Sequence, residues 1–174
     1  MEWIISIPYI PQRRLIVIYK VLGMAVLALC GAFCGFLMNQ SATAKCEQTD
    51  NLIKFMRYVR NQVECFALPS SEIVSECEKG LLEGCGFYNC RGEYGFERLA
   101  EDCEIYDEES ERIVCEFLRG FGKSYREEQL RECDYYLSML QTRRDELFSE
   151  LPKKKKVNST LCISFALCLG LMLI

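Results

Sequence analysis

Residues 21–38 read VLGMAVLALCGAFCGFLM, eighteen positions without a charge. At about 1.5 Å per residue a helix of this length covers roughly 27 Å, close to the hydrocarbon thickness of a bilayer. Lys20 can snorkel, so the apolar helix is expected to extend over 15–38, behind a tail of residues 1–14. A second apolar run, VNSTLCISFALCLGLMLI, fills 157–174 directly after Lys153–Lys156. A buried core helix is the alternative for that run, but four adjacent lysines point to a second membrane helix. Gly31 and Gly35 form a GxxxG pair that would suit close helix packing. Because single GxxxG matches are common, glycines merely tolerated in a membrane helix is the plainer expectation.

The first apolar run has a competing reading. Arg13 and Arg14 precede it, and Ala42-Thr43-Ala44 follows with A-x-A spacing, the outline of a secretory signal. The lead is long and the apolar stretch exceeds a usual signal core, which favours a retained anchor. Lysines 153–156 favour a cytosolic location for the domain between the two runs, while Arg13 and Arg14 pull the other way.

Everything between the runs is acidic. Asn39–Leu151 carries 14 of the 21 Lys+Arg and 24 of the 25 Asp+Glu, a formal charge of −10. Such a domain repels nucleic-acid phosphates and, away from the lysines, anionic lipid head groups. The chain has no histidine, which removes the usual general base and the commonest metal ligand. Neither an enzyme nor a small-molecule substrate nor a cofactor is expected.

The domain, residues 39–152, reads as all-α. Thr43–Leu68 places Leu52, Phe55 or Met56, Val59, Val63 and Phe66 at helical spacing, with Pro69 as the stop. No breaker separates this helix from the first apolar run. Ser70 or Ser71 is expected to cap a second helix through about Leu82. Gly84–Gly95 reads as a loop whose aromatics fold back on the core. A short helix is expected over Phe96–Cys103. Glu101–Glu111, with seven acidic residues in eleven, reads as a solvated surface, or alternatively as a dock for a basic partner. An apolar pattern resumes over Ile113–Phe121.

Ser124-Tyr125-Arg126-Glu127 has the form of a capping box opening a long helix. Leu130, Cys133, Leu137, Leu140, Leu147 and Leu151 follow in heptad register, interrupted by Arg144. One helix cannot bury such a stripe alone, so an antiparallel helical bundle is expected between N- and C-terminal transmembrane helices. Pro152 should separate that helix from the basic cluster at 153–156 with a kink.

Eight of the twelve cysteines lie outside the apolar runs: Cys46, Cys65, Cys77, Cys85, Cys90, Cys103, Cys115 and Cys133. No C-x-x-C occurs. A metal site from Cys77, Cys85, Cys90 and Cys103 matches no standard spacing. A disulfide framework would need export. Reduced core cysteines fit the helical positions better.

The layout resembles that of a known family. A membrane helix containing LGMAVLALCGAFCGF leads into a helix broken at Ala67-Leu68-Pro69. Then come Phe117-Leu118-x-x-Phe121-Gly122-Lys123-Ser124-x-Arg126-Glu127-Glu128-Gln129-Leu130, a long amphipathic helix, a lysine cluster and a C-terminal apolar helix. This is similar to stage III sporulation protein AB of endospore-forming bacteria. The Gly84–Glu111 stretch departs from the family in its density of Cys and Tyr.

The resemblance implies a soluble domain like those of type II secretion F proteins. It implies a platform role in the membrane complex between mother cell and forespore. The partners implied are other stage III sporulation A-complex proteins, including their ATPase, and the lipid bilayer. The location implied is the mother-cell membrane around the forespore, multi-pass, with no catalytic residues. Gly122, Ser124, Arg126, Glu127, Gln129, Leu130, Leu137, Leu140 and Leu147 are the expected structural or interaction residues. The alternative is an exported, disulfide-stabilised domain anchored by its C-terminal helix.

Overall fold

The computed structural model describes residues 12–66, 68–88 and 95–172, without the side chains of residues 12–18, 167, 171 and 172. Ala67, Cys90 with the rest of 89–94 in the expected Gly84–Gly95 loop, and residues 1–11 of the expected N-terminal tail fall outside them. Six helices and no strand occur among the described residues: α1 (Gln12–Cys65), α2 (Ser70–Glu76), α3 (Lys79–Cys85), α4 (Phe96–Glu101), α5 (Glu108–Gly120) and α6 (Arg126–Met172). The chain divides into two compact units, Met1–Gln40 with Lys154–Ile174, and Ser41–Lys153.

The first unit pairs two apolar helical segments. The helix Tyr19–Cys65 holds an 18-residue window of mean hydropathy 2.3, long and apolar enough to cross a membrane. Gly31 and Gly35 prove to be packing positions. A Cβ on Gly31 would sit 2.9 Å from the Cys162 carbonyl oxygen and 3.0 Å from Ala166 Cβ; one on Gly35 would lie 3.6 Å from Cys162 Cβ. Gly170 faces Met24 at 3.4 Å in the same way. The numbers ascend on one segment as they descend on the other, so the two segments are antiparallel. Absent side chains at Gly31 and Gly35 let the two segments approach closely. The expectation of merely tolerated glycines is therefore corrected. Leu29, Phe33, Phe36 and Phe165 are exposed on the outside of this pair.

The second unit is built on the stripe that α1 presents from Leu52 to Val63. Leu52, Phe55, Met56, Val59 and Val63 are all buried. They recur three or four residues apart, so one helix face takes all five into the interior. Ile73 and Val74 of α2, Leu82 and Cys85 of α3, Phe96 and Leu99 of α4, Ile113, Val114, Phe117 and Leu118 of α5, and Cys133 and Leu140 of α6 complete one cluster. Aromatic rings run through its centre. Phe55 meets Phe87 edge-on at 5.5 Å, Phe96 lies 4.6 Å from Phe121, and Phe117 lies 5.6 Å from Tyr136. Such pairs add to simple area burial.

Three boundaries differ from the sequence reading. The expected single helix from Ser70 to Leu82 is two helices, because Cys77 and Glu78 are extended, with ψ of 141° and 126°. The break lets both Ile73 and Leu82 reach the core. Helix α5 starts at Glu108, five residues before the apolar pattern resumes, with three glutamates in its first turn against the positive end of the helix dipole. Pro152 lies inside α6 and does not end it. Its missing N–H forfeits one bond, to the Phe148 carbonyl, and the neighbouring turns carry the helix through.

Gly86 ends α3 at φ +94°, and a Cβ there would run into the Glu104 carbonyl and lie 2.7 Å from Gln48 Nε2. The Gly86 carbonyl accepts the Glu104 amide at 2.9 Å. Buried Gln48 stitches the same place: its Nε2 donates to the Glu104 carbonyl at 2.7 Å and the Cys85 carbonyl at 3.2 Å, and its Oε1 accepts the Tyr106 amide at 2.7 Å. Gly86→Ala combines a left-handed backbone with a collision against main chain, and should cost about 2 kcal/mol or more. Equilibrium urea unfolding of the Ser41–Lys153 unit within the full chain measures it.

Asp107 forms the other polar anchor. It caps α5 by accepting the Ser110 amide at 3.0 Å and the Ser110 hydroxyl at 2.9 Å. Arg143 of α6 grips both its oxygens, at 2.9 and 2.8 Å. The guanidinium bonds outweigh the opposing effect of burial and hold the Asp107 carboxyl down to about 2. A carboxylate depressed from 3.8 to about 2 contributes stability above pH 4 worth about 2 kcal/mol, and loses it as pH falls from about 4 to 2. Asp107→Asn should therefore lower Tm at neutral pH and flatten the Tm profile between pH 5 and 2, read by circular dichroism.

Candidate functional site

The residues singled out at the start of α6 meet the C-terminal end of α1. The last carbonyls of a helix lack partners within it. Arg126 supplies them, its Nε donating to the Val63 carbonyl at 3.2 Å and its Nη2 to the Glu64 carbonyl. A cation at this place also suits the negative end of the α1 dipole. Gln129 Nε2 donates to the Ser124 carbonyl at 2.9 Å, closing the turn that begins α6. Gly122 makes that turn at φ +86° in open space. Gly122, Arg126 and Gln129 thus border one groove of about 470 Å³ together with Leu68, Pro69 and Phe121.

The capping box is not formed as expected. Helix α6 begins at Arg126, where the Tyr125 carbonyl accepts the amides of Glu128 and Gln129 at 2.9 Å. The Ser124 hydroxyl reaches Glu132 Oε1 at 3.4 Å, and Glu127 is exposed. The chain leaves the Gly122 turn too late for Ser124 to sit at the cap.

The heptad residues separate by depth. Leu140 is fully buried, Leu147 is buried outside the main cluster, and Leu130 and Leu137 are half-buried. Arg144, the break in the register, is exposed and pairs with Asp50 of α1 at 2.9 Å. Arg60 of α1 pairs likewise with Asp134 of α6 at 2.6 Å.

A second concavity, about 680 Å³, lies over α5 and is bordered by both signs of charge: Lys45, Glu108, Glu111, Arg112 and Arg119 among them. Asp107, Ser110 and Arg143 were not foreseen at this place. The acidic run at Glu101–Glu111 read as uniform surface, yet Asp107 inside it is buried. An aspartate followed by acidic first-turn residues was the helix-start signal that marked it.

The described cysteines are free thiols. Cys46, Cys77, Cys85 and Cys133 are buried, and burial with the nearby Asp134 charge pushes Cys133 up to about 11. Of the four cysteines weighed as a metal set, Cys90 lies outside the described residues. Cys103 faces Cys115, Sγ to Sγ 3.5 Å, and not Cys77 or Cys85. No group of three or more potential metal ligands occurs among the described residues.

Arg126→Ala should expose the last carbonyls of α1 and cost about 1–2 kcal/mol. Amide hydrogen exchange should show the loss concentrated at the C-terminal end of α1, with the interior of α5 unchanged.

No curated protein and no solved structure matches the chain. Over residues 92–174, which include Gly122, Arg126, Gln129 and all of α5 and α6, the chain matches the family model described as stage III sporulation protein AB, which supports the resemblance read from the sequence.

Proposed function

We propose that this chain is a non-enzymatic platform component of a sporulation transenvelope complex, similar in kind to a secretion-machine membrane platform. Its Ser41–Lys153 unit acts as a cytosolic helical bundle that engages the complex's ATPase. Two transmembrane helices, within 15–38 and 157–174, anchor it in the mother-cell membrane around the forespore. The observation that carries the reading is the family match over residues 92–174, since it covers α5, the whole of α6 and the lysine cluster together.

Three physical features support it. The apolar window of α1 is almost wholly unburied, as a lipid-facing helix requires. Lys153–Lys156 stand exposed in α6 beside the second apolar segment, the arrangement that retains the domain on the cytosolic side. The domain's acidic surface is cross-braced by ion pairs whose members stay partly exposed, which leaves helix faces available to neighbours.

The topology is checked by protease accessibility with a tag at each end. In intact protoplasts of vegetative cells that carry the chain in the plasma membrane, external protease should remove both tags and spare the acidic domain; in inverted vesicles the domain should be digested and the tags protected. Affinity capture of the full chain from sporulating cells should co-purify the stage III sporulation A ATPase. A domain cleaved from outside, or a chain lacking the first helix, would favour the exported, C-terminally anchored alternative.

A further inference from the structure

The cleft over α5 holds a pair of thiols that the proposed function does not use. Cys103 lies just after α4 and Cys115 lies within α5. Their sulfurs are 3.5 Å apart, and both point at the Ala100 carbonyl, at 3.8 and 3.7 Å. Converging on one acceptor keeps the two thiols facing each other. Cys115 also borders the open 680 Å³ cleft, so one member of the pair is within reach of a small solute. In the wall of the cleft Arg112 is held by Glu109 at 2.5 Å and Glu116 at 3.0 Å and Arg143 by Asp107, with Lys45 and Arg119 standing beside Glu108 and Glu111. A mixed-charge wall of this kind suits a zwitterion, carrying ammonium and carboxylate groups at once, better than a simple anion or cation.

We propose that Cys103 and Cys115 are a thiol-oxidation site, closed to a disulfide by exchange with a small zwitterionic disulfide that enters the cleft over α5. Cys115 releases its proton to water and its sulfur attacks one sulfur of the solute. The first solute thiolate leaves and takes up a proton. Cys103 then loses its proton and attacks the Cys115 sulfur, expelling the second solute thiolate, which is protonated in turn. Two protein thiols become one disulfide, and one solute disulfide becomes two thiols, so electrons and protons balance. Cys115 lines the cleft and Cys103 does not, so Cys115 is the attacking sulfur and Cys103 the resolving one; burial, with the neighbouring Cys115 thiol, pushes Cys103 up to about 12. The bridge would tie α5 to the turn that leaves α4. The inference does not rest on the platform role; in a cytosolic domain the bridge is a transient, redox-sensing one and not part of a disulfide framework.

The test uses the full chain in detergent, exposed to oxidised glutathione without denaturant, then alkylated and digested with trypsin under non-reducing conditions. Cleavage after Arg98, Arg112 and Arg119 puts Cys103 on peptide 99–112 and Cys115 on peptide 113–119. The expected product is these two peptides joined, two hydrogen masses lighter than their sum and separated by reductant. In Cys103→Ser, glutathione should instead remain on Cys115. Both cysteines alkylated, a lasting glutathione adduct on Cys115 in the unsubstituted chain, or a 99–112/113–119 link that forms only in urea would each overturn the proposal. The unsubstituted chain decides the matter alone should the variant fail to fold.

Discussion

The fold of the acidic domain depends on one buried helix face. Leu52, Phe55, Met56, Val59 and Val63 of α1 are all removed from water. The elements packed on them are short: α2 and α3 have seven residues each, α4 six and α5 thirteen. Helices of that length are marginal in isolation, because nucleation costs more than so few hydrogen bonds return. They exist here because each lays an apolar side on the α1 stripe or on the aromatic set around Phe96 and Phe117. The same dependence explains the extended residues Cys77 and Glu78, which re-aim the chain so that α2 and α3 can both reach that face.

Polar contacts then fix which packing is adopted. An apolar cluster tolerates several arrangements of similar volume. Gln48 and Asp107 do not, since each must find its partners once buried. Gln48 joins α1 to the end of α3 and to the segment before α5; Asp107 joins the start of α5 to Arg143 of α6. Arg126 performs the matching task at the other end of α1. A buried ion pair is a weak net stabiliser, because desolvation offsets much of the attraction, but breaking it leaves a charge without a partner. Its effect is to hold register between helices that the apolar core alone would let slide.

The apolar unit follows a different rule. Its two helical segments approach closely at small residues: Gly31, Gly35 and Gly170 lie at their contact, while phenylalanines and leucines point outward. The domain is thus assembled by large buried residues and the apolar pair by small ones, within one chain whose composition averages to a mean hydropathy of +0.01.

Composition and spacing alone determined that the chain is helical and acidic between two apolar runs, because periodicity and missing charges are local properties. They also located the α1 stripe from Leu52 to Val63. They pointed to Gly122, Arg126 and Gln129 only through a family pattern, without the reason for it. Tertiary structure alone decided the rest. Arg126 caps α1 from sixty residues away, Asp107 is buried within a run that reads as surface, Gly31 and Gly35 face the C-terminal apolar segment, and Cys103 meets Cys115. Each depends on which distant segment comes alongside, and no spacing along the chain encodes a partner across the fold.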